Sequence, residues 1–196
     1  MKPKVGTILP CCHIRGGASA FAPLPFRILV VVIESLTTPP VEVVMSTLLP
    51  PVDDPLLVRA LETGEAAWRR GNLVAAWRLI EQALRRAEAC DNLAGALSAC
   101  QLLGHIAFAA GELDAAQGYH RTVFVQSQAL GLPLGEASAL HNLGLIAASQ
   151  GAQVEARQLI AEAAARYEAL GHAAGATAAR TNLALFDDHW ISTGGI

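Results

Sequence analysis

HNLGLIAASQGAQVEA, residues 141–156, has a single carboxylate, Glu155, and two glycines, Gly144 and Gly151, seven positions apart. A glycine inside a helix costs about 1 kcal/mol relative to alanine, so both need a structural reason. Displacing the sequence by forty residues supplies one. Gly151 then falls on Gly111 and Gly71, and Gly144 falls on Gly104 and Gly64. Ala156 coincides with Ala116 and Ala76, and Ala147 with Ala107 and Ala67. Four columns of small residues in three copies are an internal repeat, and repeats of this length stack as solenoids.

Each copy divides into two helices. The first is expected over 55–70, 94–110 and 134–150, and the second over 73–89, 113–129 and 153–170. Gly71, Gly111 and Gly151 fall where the first helix must stop and reverse, a site that favours positive φ. Gly64, Gly104 and Gly144 lie two turns further inside. There the missing Cβ would let the returning helix approach, with Ala76, Ala116 and Ala156 as the expected facing residues. A fourth copy opens with RTNLALF, residues 180–186, which aligns with LHNLGLI, residues 140–146. It has no return helix. The expected fold is an all-α solenoid of three hairpins with a C-terminal capping helix, over residues 53–190, followed by a flexible tail at 191–196.

At these residues the chain resembles the tetratricopeptide repeat family. The family's Leu-Gly pair appears as Leu103-Gly104 and Leu143-Gly144, and as Thr63-Gly64 in the first copy. Its small residue in the second helix is Ala76, Ala116 and Ala156, and its large apolar residue four further on is Ile80, His120 and Ile160. The tryptophan and tyrosine that flank Leu-Gly in the family pattern are replaced by Ala60, Cys100 and Leu140, and by Ala67, Ala107 and Ala147. The period is forty rather than about thirty-four, similar to the subfamily with Asn-Leu-Gly triplets, and the surplus is expected in longer helices and connectors.

The resemblance implies a right-handed α-solenoid whose first helices line a concave groove. Carried over residue by residue, the lining is Glu62, Glu65, Trp68 and Arg69, then Ser98, Gln101, His105 and Phe108. The third copy adds Ser138, His141, Asn142 and Leu145, and the last helix Thr181, Asn182 and Asp188. Asn142 and Asn182 match positions at which family asparagines hold a peptide backbone, and an amide offers the donor and acceptor such recognition needs. Gln101, His105, His141, Ser138, Arg69 and Glu65 complete the expected peptide-binding set. The carboxylate clamp of chaperone cofactors is absent, since no lysine follows Lys4. Arg69 and Arg180 are the remaining bidentate donors for a carboxylate.

Composition narrows the function. Hydrophobic residues make up 53% of the chain and mean hydropathy is +0.37, with alanine accounting for much of the excess. Net charge is −3 and no basic stripe exists, which disfavours nucleic acid. ILVVVI at 28–33 is too short to span a bilayer. The four cysteines lack metal-knuckle spacing, and free thiols in a reducing cytoplasm are expected. His105 and His141 lack a third metal ligand in the pattern, and DDHW at 187–190 falls at a helix end that solvation accounts for. No phosphate loop, nucleophile elbow or zinc-protease motif occurs. Neither an enzyme nor a cofactor is expected.

Residues 1–52 hold eight of the ten prolines and show no helical period. They are expected to be a disordered or non-native extension, with residues 1–44 upstream of a natural start at Met45. The expected role is a non-catalytic interaction module that binds a peptide or partner helix. Two alternatives are a ligand-sensing regulatory domain, as a remnant of a larger bacterial regulator, and a unit that self-associates through its incomplete fourth copy.

Overall fold

The computed structural model describes residues 52–192, with side chains up to Phe186. Residues 1–44, Met45, the DDHW side chains, Asp188 and the segment 193–196 lie outside the described residues or side chains. Seven helices follow one another, and no strand occurs among the described residues. They are α1 (Pro55–Arg69), α2 (Leu73–Ala89), α3 (Leu93–Ala109), α4 (Leu113–Leu130), α5 (Pro133–Ser149), α6 (Gln153–Ala169) and α7 (Ala173–Ser192). Each packs on the next, and α1 also packs on α3. This is an all-helical, solenoid-like stack of three hairpins and a terminal helix.

The connections repeat at half the expected period. Gly71, Gly111, Gly131, Gly151 and Gly171 have φ between 64° and 82°, and Asp91, with φ 53°, holds the same place between α2 and α3. These six residues are spaced by twenty. At each one its own N–H bonds back to the carbonyl three residues earlier. The next N–H bonds to the carbonyl five residues before itself, as in Gly151 N to Ala148 O (3.0 Å) and Ala152 N to Ala147 O (2.9 Å). Two orphan carbonyls are thereby satisfied within a connector of two or three residues.

The residue after each turn then opens the following helix. Asn72 and Asn92 accept from Ala75 N and Gly95 N, and His172 Nδ1 accepts from Gly175 N at 3.1 Å. At the start of the stack Asp54 caps α1 through Leu56 N and Leu57 N while pairing with Arg86 at 2.8 Å, which ties α1 to α2. The connectors are therefore no longer than a reversal needs. Each forty-residue copy places the rest of its length in two helices of 15 to 18 residues.

The inner glycines do admit close approach, but the partner is one turn beyond the alanines named from the sequence. A Cβ on Gly64 would lie 2.7 Å from Ile80 Cγ1, one on Gly104 2.6 Å from His120 Nε2, and one on Gly144 2.5 Å from Ile160 Cγ1. Alanine backbone joins only in the third hairpin, where Ala156 O would be 3.1 Å away. The reason is geometric: a Cβ points towards the N-terminus of its helix, and a long side chain reaches back over the preceding turn. Ile80, His120 and Ile160 thus fill the space the glycines leave. Ala76, Ala116 and Ala156 are fully buried beside them and let the backbones draw together.

Candidate functional site

The first helices of the hairpins meet side to side in a nearly constant register. Trp68 of α1 stacks on His105 of α3 with ring centroids 5.5 Å apart. His105 donates a hydrogen bond to Asn142 of α5, and Gln101 Nε2 donates to Ser138 Oγ at 3.3 Å. Each of these pairs is separated by thirty-seven residues, one period less three. Between α5 and α7 the pair is His141 and Asn182, forty-one apart, with Asn182 Nδ2 donating to His141 Nε2 at 2.8 Å.

Side chains from the second helices complete a polar belt. His120 of α4 lies beneath Gly104 with its ring 5.2 Å from that of His105. Tyr167 of α6 hydrogen-bonds Ser138, sets its ring edge against His141 at 6.4 Å, and meets His172 on another side at 5.3 Å. Burial pushes the Tyr167 phenol up to about 12, so it remains neutral. Desolvation brings His105 and His141 down to about 4, opposed at His105 by the Asn142 bond and reinforced at His141 by the nearby His105. Desolvation and then His105 push His120 in the same direction. All three imidazoles are neutral at pH 7.

The expected binding residues are thus brought together, but largely bonded to one another. Gln101, Ser138 and Asn182 are buried, as are Trp68, Ser98, Phe108 and Leu145 of the wider lining. His105, His141 and Asn142 are half-buried, while Glu62, Arg69 and Thr181 are exposed. Glu65 is held by Arg69 at 2.7 Å, and Arg180 by Glu168 at 2.8 Å, so both arginines are engaged in surface ion pairs. What remains open along α3 and α5 is an uncharged strip of imidazole and amide. α3 contains no charged residue, and the sole carboxylate of α5, Glu136, is taken by Arg166.

Tyr167 was missed from the sequence although a signal existed. In the twenty-residue spacing of the turns its column otherwise reads Ala67, Ala87, Ala107, Ser127 and Ala147. The one bulky residue in a column of small ones is the residue that reaches the belt. Among the described residues no group of three or more His, Cys, Asp or Glu is placed to hold a metal ion, and no helix is long and apolar enough to cross a membrane. Cys90 is exposed and Cys100 buried. The chain matches no protein-family model, and no characterised protein is significantly similar to it in sequence.

Proposed function

We propose that the chain is a non-catalytic interaction module of tetratricopeptide-like kind, taking an extended peptide or partner helix across α1, α3, α5 and α7. The observation that supports it is the half-open strip of His105, His141 and Asn142. These are neutral donors and acceptors with no charged neighbour on α3, set in a regular register on consecutive first helices. Such a surface can bond a peptide backbone and makes no demand on side-chain charge. A stack of helices fixed by six like turns presents it with little ordering cost. Asn142 is the central contact in this reading, and Thr181 lies on the rim. Asn182 supports the surface from beneath through His141. An exposed free thiol at Cys90 fits a reducing cytoplasm.

The test is affinity purification from the native host with the parent chain, with Asn142→Ala and with Thr181→Arg. Thr181 is exposed, so the arginine obstructs the surface without entering the core. Both variants should retain parental helicity and recover at least about tenfold less of a specific partner, equivalent to about 1.4 kcal/mol. Parental recovery with both variants would remove the groove reading.

A further inference from the structure

We propose that His105, His120 and His141 form an acid-operated latch, whose protonation loosens the packing of α3, α4 and α5. The geometry begins with His120. It occupies the column held by Ile80 and Ile160 in the flanking hairpins, is 1% exposed, and its Nδ1 has no hydrogen-bond partner. An isoleucine would fill that place without an orphan polar atom, so the imidazole is costly in a folded chain that never titrates.

His120 does not stand alone. Its ring adjoins that of His105, which is clasped between Trp68 of α1 and Asn142 of α5. His141 accepts from Asn182 through Nε2, a bond that requires that nitrogen to be unprotonated. Protonating His105 and His120 together places like charges side by side, with the His120 ring out of reach of water. Protonating His141 also ends its acceptance from Asn182 Nδ2, so the amide must turn to present its oxygen.

Among the described residues no counter-ion stands ready to absorb that charge. α1 presents Trp68, and its nearby Glu65 is bonded to Arg69. The buried residues of α2 are Ala76, Ile80, Ala83, Leu84 and Ala87, none titratable. α4 contributes Tyr119 and His120, and α6 contributes Tyr167, a neutral phenol. On α5, Glu136 is engaged by Arg166. α7 offers Asn182, with His172 beyond Tyr167. The buried residues of α1 to α6 include no carboxylate.

The direction follows from linkage. The imidazoles hold protons more weakly when packed than when exposed, where the ordinary value is 6.5. Opening therefore takes up protons. Closure is at full strength above about pH 6.5 and weakens as pH falls towards about 4. Because the three rings lie on α3, α4 and α5, the opening is centred there, while the contact of α1 with α2 involves no imidazole of the set.

Amide hydrogen exchange on the full chain at pH 7 and pH 5, corrected for the intrinsic pH dependence of exchange, tests the latch. Protection in α3, α4 and α5 should fall by about tenfold or more between the two conditions, and by more than in α2. The double variant His105→Leu with His120→Ile installs the residues of the third hairpin, Leu145 and Ile160, at the same columns. It should lose at least about tenfold of that pH response. An equal response in the double variant, or a fall spread evenly over all helices, would overturn the proposal. If the double variant does not fold, proton NMR titration of the parent decides. His105 and His141 should titrate well below pH 6, and titration of both near 6.5 in the folded chain would overturn the latch.

Discussion

Gly71 and Gly104 show how one residue type is required for two opposite reasons. Around Gly71 nothing lies within 4 Å of where a Cβ would be, yet its φ is +76°. Alanine there has room and the wrong backbone, at a cost of about 1–2 kcal/mol. Gly104 is helical, and its constraint is the His120 ring, whose Nε2, Cδ2 and Cε1 would all lie within 2.6–2.9 Å of an added Cβ. A buried planar ring confined by His105 has no free rotor to turn aside. Alanine gains about 1 kcal/mol in helix propensity at that site, whereas overpacking costs about 1–3 kcal/mol. Gly104→Ala should therefore lower the urea midpoint despite the better helix former, and Gly71→Ala should lower it without any steric contact. A raised midpoint in Gly104→Ala would mean that the glycine is there for some reason other than space.

At the scale of the element, the unit is a helix and a turn of twenty residues, and Asp91 is its one non-glycine left-handed position. Aspartate tolerates that region better than most residues but less well than glycine. Among the described residues the Asp91 side chain makes no hydrogen bond or ion pair. Asp91→Gly should therefore stabilise the fold by a few tenths to about 1 kcal/mol, seen as a rise in Tm; a fall in Tm would contradict the turn argument. The same residue explains why the shorter period was not legible. A search on glycine columns finds Gly71, Gly111 and Gly151, while Asp91 breaks the companion series that runs on through Gly131 and Gly171. Helix positions were legible because terminators and small-residue columns act locally. The partner of Gly104 was not, because it depends on how far His120 reaches back along α4. Nor could Asn182 be assigned from its chemistry, since the same amide serves a peptide backbone or a neighbouring imidazole equally well.

The whole stack is held by contacts between successive helices, so its end faces are set by single columns of residues. The column Leu57, Leu97 and Ala137 is fully buried in α1, α3 and α5, and its counterpart on α7 is the exposed Thr177. Cys100 and Leu140 are buried one turn later, and there α7 carries exposed Arg180, paired with Glu168. The face of α7 that corresponds to the hairpin contacts of α3 and α5 is thus polar at its centre. A stack of apolar-faced repeats requires such a surface wherever it meets water, because an uncovered core face would recruit another copy. Thr177→Leu with Arg180→Leu restores the inner pattern on this face while leaving the packing of α7 on α6 intact through Ala176 and Ala179, both buried. Sedimentation velocity over a concentration series should show the double variant shifting to faster species at concentrations where the parent does not. Helicity should be no lower, since leucine is a better helix former than threonine. Parental sedimentation at every concentration would show that Thr177 and Arg180 are not what keeps this face from pairing.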